Sequence, residues 1–400
     1  STTANASAGA IKIKDTEHGG SGTKTRNSSL VQLNDHKTSD KDGEGSGSEM
    51  IAFKTACRIV ISKVMTILKY SVEIRRQSNL EVYDKTNIEH LLISLATAFI
   101  HIPDIHVTHL RRLAVFHASE EHYAEAGHCY LTMAQVYSSL IEGKTRNHDT
   151  LAEETHGSTD AGKGTLSKDL HPLRLQVCRF LKLACEMLDH ARLYEKCNHT
   201  YMKLIPMLNL NRNWRELSLA HKHLHEVFEA LATSEEKNNE GRLLGCYYRI
   251  GFYGPMFGGR DGREWIYKKP LVTKLVEVVK TVKHVYEHVL KLPVTVWPDS
   301  SDVDKAAVRD ANGDGKNDLH ILQITYVEPF FRDTEQGSRC SWISRNTNIS
   351  SFVYSTPFTK GKEPSRNRGV SVLEQCKRKT ILTVETPFPC CTTSQEVVAK

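Results

Sequence analysis

Apolar residues recur at intervals of three and four positions through most of the first half of the chain, a spacing typical of amphipathic helices. The longest stripes are Ile88, Leu91, Leu92, Leu95 and Phe99, then Ala126, Cys129, Met133, Val136 and Leu140, then Val177, Leu181, Ala184, Leu188 and Ala191, and finally Leu217, Ala220, Leu224, Val227 and Leu231. Pro103 is expected to end the first of these helices. With modest connections between them, the stripes predict an antiparallel helical array over residues 51–242.

Two polar intervals lie outside this pattern. Residues 143–171 are rich in Gly, Thr, Asp and His, and we interpret them as a mobile loop between two helices. Residues 1–50 hold almost no apolar periodicity and are rich in Ser, Thr, Gly, Asp and Lys. Because such a segment cannot bury enough apolar surface to offset its loss of conformational entropy, it is predicted to be a disordered arm.

The pattern changes near residue 243. Residues 243–253 are rich in Tyr, Phe and Ile, and a glycine-rich turn follows them. Residues 264–267 then form a second strand candidate, so the whole segment predicts a β-hairpin. One further helix is predicted with Pro270 at its start. Short strand candidates then lie at residues 319–327, 351–354 and 380–384. The predicted fold class is α+β: an antiparallel helical array followed by a β-rich lobe with mostly antiparallel sheets, over residues 243–390, and a tail over residues 391–400.

The composition argues against several functional classes. Hydrophobic residues make up 39% of the 400 residues, and the formal net charge is +6. No basic stripe interleaves with aromatic residues, so nucleic acid is not expected as a partner. No apolar run reaches the length of a membrane span, and residues 1–10 lack the pattern of a signal peptide. Ten scattered cysteines without a CxxC pair predict reduced, mostly buried thiols and a cytoplasmic location.

Two motifs resemble metal sites. Residues 310–318 place oxygen-bearing side chains where a calcium loop has them, but Ile321 occupies the position that needs a bidentate Glu. We therefore interpret this stretch as an acidic surface turn. His221 and His225 lie four residues apart on one helix, yet no third ligand is evident, which favours a solvated or packing role. No phosphate loop, nucleophile elbow or carboxylate pair stands out, so no metal, cofactor or catalytic residue is expected, and the chain is not expected to make or break bonds.

Several segments, in their order and spacing, resemble the exchange domain of the DOCK family of guanine-nucleotide exchange factors. The resemblance covers roughly residues 80–390. The segments are Pro103–Leu140, Leu193–Lys196, Met202–Pro206, Tyr248–Gly254, Gly262–Lys268, Thr273–Leu275, Ile324–Phe331, Pro357–Thr359 and Glu374–Thr383. Those in the β-rich lobe are the more specific, and their detail favours the zizimin-like branch of the family.

The resemblance implies three lobes. The first is a helical array that carries a homodimer interface, and the second is a pair of antiparallel sheets that contacts the switch region of a Rho-family small GTPase (Rho/Rac/Cdc class). The third is a helical bundle whose inserted loop expels magnesium and nucleotide. The match ends near Phe388–Cys390, so this catalytic lobe is expected to be missing from the chain.

The expected function is therefore part of a guanine-nucleotide exchange factor that binds its GTPase through the β-rich lobe in small-GTPase signal transduction. The alternative is a non-catalytic scaffold for interaction and dimerisation. Which GTPase would be bound is left open by the sequence.

Residues at strand ends of the β-rich lobe are expected to bind the GTPase. They are Glu328, Phe330, Phe331, Gln375, Lys377 and Arg378. Aromatic and basic groups of this kind often anchor interfaces. For the two phenylalanines, packing within the sheet is an equally open interpretation. The basic run Cys376–Thr380 also has an alternative, a solvated sheet edge protected by its lysines.

Overall fold

The computed structural model describes residues 44–154, 160–242, 245–291, 293–297, 320–359 and 375–400. These described residues fall into two units that divide between Cys57 and Arg58. Residues 1–43 of the predicted arm and the calcium-like residues 310–318 lie outside the described residues. The end of the predicted arm, residues 44–50, is helical and belongs to the first helix, which begins at Glu44.

Seven helices form the first part of the chain. They are α1 (Glu44–Ser78), α2 (Lys85–Ala98), α3 (Pro103–Ser119), α4 (Tyr123–Glu154), α5 (Asp160–His190), α6 (Tyr194–Leu210) and α7 (Trp214–Glu236). Asp84 caps α2 by accepting from the backbone N–H of Asn87 at 3.1 Å. Pro103 lies in the first turn of α3, whereas α2 already ends at Ala98, so this proline begins a helix rather than ending one.

The helical array has one continuous apolar core, which confirms the predicted stripes. Consecutive helices from α2 to α7 pack against each other in order. Tight turns reverse the chain at Glu121, Arg192 and Arg212, each in the left-handed backbone region with φ between 53° and 60°. The most deeply buried side chains include Leu95, Leu110, Leu113, Met133, Phe180, Leu188, Leu193 and Leu204.

The predicted loop over residues 143–171 is largely helical. α4 continues to Glu154, and α5 begins at Asp160 and includes Pro172. An isolated glycine such as Gly143 costs a helix only about 1 kcal/mol relative to alanine. Because a helix that has already nucleated extends at little cost, α4 passes through this weak position. The composition of the interval was therefore a poor guide to its secondary structure.

Among the described residues after the helical array, the chain forms seven strands. They are β1 (Cys246–Tyr253), β2 (Glu264–Lys269), β3 (Thr295–Trp297), β4 (Ile321–Pro329), β5 (Ile349–Thr359), β6 (Gln375–Phe388) and β7 (Ser394–Ala399). They form a sheet in the order β1-β2-β7-β6-β5-β4-β3, and β4 also pairs with β1. Apart from the short parallel pair of β3 with β4, the described pairings are antiparallel. The predicted hairpin and the three strand candidates are confirmed.

The strands form two layers. One contains β1, β2 and β3, the other contains β5 and β6, and β4 and β7 belong to both. A core between the layers contains Phe352, Leu382 and Phe388, all 0% exposed. A second core lies between β1, β4 and the helix α8 (Leu275–Leu290). Two short helices, α9 (Asp333–Gln336) and α10 (Trp342–Asn346), connect β4 to β5. The observed architecture is therefore the predicted α+β fold.

Two boundaries in this region differ from the prediction. α8 begins at Leu275, where the backbone N–H of Lys274 donates to Glu277 at 3.0 Å, and Pro270 lies in the preceding turn. The predicted tail contains β7, which is hydrogen-bonded between β2 and β6. The segment Ser394–Ala399 lacks the alternation of apolar and polar residues that marks a strand, so the sequence did not reveal this element. Among the described residues, no helix is both long and apolar enough to span a membrane.

Candidate docking surface

A buried ion pair fixes the sheet to the helical array. Lys268 on β2 donates from Nζ to Oε1 of Glu125 on α4 at 2.6 Å, with the two side chains 9% and 2% exposed. Burial favours the neutral carboxyl, but the Lys268 ammonium outweighs it and holds the pKa of Glu125 below its usual value. Because either charge alone would be strongly destabilising in this position, the pair ties β2 to α4.

Helix α2 holds the beginning of β7 through two adjacent residues. Glu89 accepts hydrogen bonds from the backbone N–H of Thr393 and, at 2.7 Å, from its hydroxyl. Burial raises the pKa of Glu89 to about 8, so the neutral acid predominates at pH 7. Nε2 of His90 lies 2.7 Å from the hydroxyl of Ser394, and burial lowers the pKa of His90 to about 4. Both helix side chains are therefore mainly uncharged at neutral pH.

A third buried contact joins the start of α2 to the β-rich lobe. Asp84 Oδ2 accepts from the hydroxyl of Tyr286 on α8 at 2.7 Å and from Nη1 of Arg260 at 3.0 Å. The guanidinium of Arg260 also lies over the rings of Phe252 and Trp265. The β-rich lobe is thus held on the helical array by several independent polar contacts, so its surfaces have a defined orientation.

Within the lobe, Arg249 joins four strands. Its Nε and Nη2 each donate to the carboxylate of Glu264 at 2.6 Å, and Nη2 donates to Gln323 at 2.8 Å. The guanidinium lies 5.0 Å from the centre of the Tyr354 ring. Burial opposes the charge, but the Glu264 carboxylate raises the pKa of Arg249 above its usual value. This buried group connects β1, β2, β4 and β5.

Four of the predicted GTPase-binding residues, Glu328, Gln375, Lys377 and Arg378, lie on β4 and β6, on either side of β5, and the two phenylalanines follow β4. Glu328 is paired with Val353, which is paired with Ile381. Directly opposed residues of antiparallel strands point to the same face, so these three side chains form a row. Their neighbours Phe352 and Leu382 are completely buried on the other face, whereas Glu328 and Ile381 are exposed. The row therefore faces away from the core.

Strand alternation separates the two predicted basic residues. Lys377 and Lys379 share the face of Ile381, whereas Arg378 points to the opposite face, together with Leu382. We use the name outer face for Glu328, Val353, Ser355, Pro357, Lys377, Lys379 and Ile381. Along β6, Lys377 lies about 13 Å from Ile381, at about 3.3 Å per residue. The backbone of Gln375 lies further along the same strand, opposite Thr359.

Sequence reasoning missed five members of this face: Val353, Ser355, Pro357, Lys379 and Ile381. Counting by twos from Lys377 would have found Lys379 and Ile381, because alternate residues of a strand share a face. Val353 becomes apparent only from the register of β5 against β4 and β6. The outer face combines an acidic end, an apolar middle and a basic end.

The two phenylalanines after β4 have different surroundings. Phe331 packs against the core between the layers, and the guanidinium carbon of Arg339 lies 4.1 Å from its ring centre. The packing interpretation therefore accounts for Phe331. Phe330 is half-buried and is held by its backbone N–H, which donates to Ser351 at 2.8 Å. Whether either residue touches a partner stays a prediction.

Two histidines of α7, His223 and His225, have protein partners. Nδ1 of His223 lies 2.5 Å from the hydroxyl of Tyr201, and its Nε2 lies 3.4 Å from Asp189. His225 lies 3.3 Å from Glu229. Within the part of the chain that the structure describes, no group of three or more His, Cys, Asp or Glu side chains could hold a metal ion.

Two family descriptions match the chain. Residues 90–233 match "DHR-2, Lobe A", which covers α2 to α7 for most of their length, and residues 300–387 match "DHR-2, Lobe B". The second match includes β4, β5 and nearly all of β6, and thus the strands of the outer face.

Several curated proteins are similar to the chain. Dedicator of cytokinesis protein 8 from Homo sapiens is 29% identical over 382 residues, which is 89% of this chain and 17% of that protein. Dedicator of cytokinesis protein 7 from Mus musculus is 31% identical over 335 residues, 78% of this chain and 15% of that protein. Guanine nucleotide exchange factor SPIKE 1 from Arabidopsis thaliana is 28% identical over 324 residues, 74% of this chain and 17% of that protein. The chain thus spans about one sixth of the length of these relatives.

Proposed function

This chain carries a DHR-2 domain of the DOCK family, with lobe A at residues 90–233 and lobe B at residues 300–387, and we propose that it binds a Rho-family small GTPase through the outer face of its sheet. On this proposal the chain is part of a guanine-nucleotide exchange factor, which is the activity that the name of the relative SPIKE 1 gives. Membership of the zizimin-like branch is part of the same proposal.

The exposed outer face within the lobe B match is the observation that carries this proposal. Its middle is apolar, since Ile381 is 41% exposed beside Val353. Lys377 and Lys379 add two positive charges at one end, and Glu328 adds a negative charge at the other. An apolar centre with a charged rim is the usual composition of a protein interface. The buried contacts at the junction hold this face in place before a partner arrives, which lowers the entropic cost of binding.

The proposed mechanism is a difference in binding affinity. If the outer face binds the switch region best when nucleotide is absent, thermodynamic linkage requires that it weaken nucleotide binding by the same factor. Magnesium and the phosphates hold the switch segments of a GTPase in their ordered form. A protein surface that stabilises another switch conformation therefore favours loss of nucleotide without any bond chemistry of its own.

The nucleotide dependence of binding tests this proposal. The chain is immobilised, and a panel of Rho-family GTPases is passed over it in nucleotide-free, GDP-bound and GTP-analogue-bound forms. We expect at least one GTPase to bind at least tenfold more tightly in the nucleotide-free form. Equal affinity for all three forms would contradict exchange activity, and no binding by any member would remove the GTPase from the proposal.

A second candidate function, self-association as a scaffold, is favoured by α1. Ile61, Met65, Leu68 and Val72 recur at spacings of four, three and four, and each is more than half exposed. An apolar stripe of this kind on one helix is the seam that paired helices use. We propose that this stripe contributes to a homodimer. Light scattering after gel filtration should give twice the mass of the chain, and Met65→Glu with Leu68→Glu should reduce it to the mass of one chain.

A further inference from the structure

The turn between β6 and β7 carries two adjacent cysteines that face different cores. Cys390 is buried in the core between the two sheet layers. Cys391 packs against the core of the helical array. Its carbonyl oxygen lies 2.9 Å from Nε2 of His117 on α3 and 3.9 Å from the sulfur of Cys129 on α4. The backbone of Cys391 is thus held against two helices.

The side chain of Cys391 lies among polar groups of α4 and α6. The hydroxyl of Thr132 lies 3.4 Å from its sulfur, and Cys129, whose thiol donates to the Cys391 carbonyl oxygen, lies one helical turn before Thr132 on α4. The ammonium of Lys196 on α6 lines the same cavity and donates to Nε2 of His128 at 2.8 Å. A nearby cation stabilises a thiolate, the reactive form of cysteine.

The cavity gives Cys391 a route to solvent that Cys129 lacks. Its volume is about 710 Å³, and its lining includes His128, Thr132, Lys196, Trp265 and Cys391. Cys391 is partly exposed, whereas Cys129 is 0% exposed. A small solute that enters the cavity therefore meets Cys391, whereas Cys129 does not line the cavity.

The acidities of the neighbouring thiols follow from these surroundings. The hydrogen bond from Cys129 lowers the pKa of Cys391 despite its burial, with the Thr132 hydroxyl and the Lys196 ammonium acting in the same direction and Glu125 opposing them. The same hydrogen bond, together with burial, raises the pKa of Cys129. Burial raises the pKa of Cys390 to about 11. The adjacent Cys390 is therefore a natural internal control.

We propose that Cys391 is a site of oxidation by hydrogen peroxide and that Cys129 is its resolving thiol. The Cys391 thiolate attacks one peroxide oxygen, the O–O bond breaks, and a sulfenic acid and hydroxide form. The Cys129 sulfur then attacks the sulfenic sulfur, and its proton and the departing hydroxyl form water. The cysteine pair loses two electrons and the peroxide gains them, and a disulfide joins α4 to the turn before β7.

The proposed bond would connect residues 262 positions apart in the sequence. It would link the helical array covalently to the sheet at the junction that Glu89 and Glu125 already hold together. Its consequence is a junction that cannot open while the bond persists, and a thiol reductant reverses it.

Peptide mapping of the folded chain tests the proposal. The chain is treated with hydrogen peroxide at a small molar excess, free thiols are blocked with iodoacetamide in denaturant, and tryptic peptides are identified with and without reduction. We expect a peptide pair linked through Cys129 and Cys391 that disappears after reduction. A Cys390–Cys391 link, or faster oxidation of the exposed Cys340 than of Cys391, would overturn the proposal.

Three variants provide matched controls. Cys390→Ser should leave the linked peptide unchanged, whereas Cys391→Ser should abolish it. In Cys129→Ser, a sulfenic acid on Cys391 should persist and be captured by dimedone; its absence there would contradict the assigned order of steps. Circular dichroism establishes that each variant is folded. The proposal can still fail on the unmodified chain alone, because brief iodoacetamide treatment of the folded protein should label Cys391 at least tenfold faster than Cys390.

Discussion

Lys268 and Glu125 form a buried ion pair, 2.6 Å from Nζ to Oε1, between a strand of the sheet and a helix of the array. They are 143 residues apart in the sequence. The orientation of the outer face relative to the helices depends on this contact and on those of Glu89 and Asp84. Stability measurements on the junction therefore test the structural basis of the proposed function.

Removing one member of the buried pair should destabilise the chain strongly. Glu125→Ala leaves the Lys268 ammonium buried without its counter-charge, so we expect a loss of about 3–5 kcal/mol in the free energy of unfolding. Urea denaturation gives this value. The exposed pair Lys222–Glu226, with atoms 3.9 Å apart, is the matched control, and Glu226→Ala should change stability by less than about 0.5 kcal/mol. Equal effects of the two substitutions would show that the buried pair does not hold the junction.

The raised pKa of Glu89 predicts a stability that falls as the pH rises. The folded carboxyl has a pKa of about 8, whereas the usual value is 4.5, so between these values the folded state binds the extra proton. The stabilisation from this group is fully present below pH 4.5 and is lost as the pH rises through 8. Between these pH values the free energy of unfolding should fall by at most about 1.4 kcal/mol per pH unit.

Comparison with Glu89→Gln isolates this effect. Glutamine is neutral at every pH and keeps an oxygen that can accept from Thr393, so the variant should gain stability over the unmodified chain by about 1 kcal/mol between pH 6.5 and 7.5. His90 and His117, whose burial lowers their pKa values to about 4, are common to both proteins and cancel in the difference. A difference that stays constant with pH would mean that Glu89 is ionised in the folded chain.

Arg249 should not tolerate replacement by lysine. A lysine cannot make the two parallel hydrogen bonds to Glu264, and its ammonium would be buried with fewer partners, so Arg249→Lys should lower the free energy of unfolding by about 3 kcal/mol. Arg263 also contacts a carboxylate, that of Glu396 at 2.9 Å, but is 55% exposed. Arg263→Lys should therefore have an effect below about 0.5 kcal/mol. Urea titrations of both variants decide between a structural and an incidental role for Arg249.

The parts of the fold that could be predicted from sequence are those with local causes. The stripe Val177, Leu181, Ala184 and Leu188 is buried as its spacing predicted, and the hairpin of β1 and β2 is present. The contact of Glu89 with Thr393 joins residues 304 positions apart, and no local sequence pattern predicts a contact over that separation. Strand β7 was missed because it lacks the alternation of apolar and polar residues and is defined by its neighbours β2 and β6.

The candidate site shows the same division. Lys377 was predicted from its place in a basic run, and the structure puts it on an exposed face. Its neighbour Arg378 could not share that face, because successive residues of a strand point in opposite directions. Ile381 and Val353 are brought together by the register of β5 against β6. This register cannot be predicted from the local sequence of either strand.

Alternation along β6 makes a prediction about binding. If the outer face contacts the GTPase, Lys377→Ala and Lys379→Ala should each weaken binding more than Arg378→Ala does. Charged groups at the rim act mainly on the association rate, so we expect the rate to fall two- to fivefold and the effect to shrink at high salt. Biolayer interferometry at two salt concentrations measures it. An Arg378→Ala effect larger than both lysine effects would place the contact on the other face.

The affinity of Ile381→Glu for a nucleotide-free Rho-family GTPase tests the central claim most directly. Ile381 lies in the apolar middle of the outer face, and a buried unpaired carboxylate there should weaken binding at least thirtyfold. Val276→Glu is the matched control, because Val276 is 62% exposed and lies on α8, which carries no residue of the outer face. The account predicts loss of affinity for Ile381→Glu and unchanged affinity for Val276→Glu. Unchanged affinity for Ile381→Glu in a folded chain that binds the GTPase would contradict it.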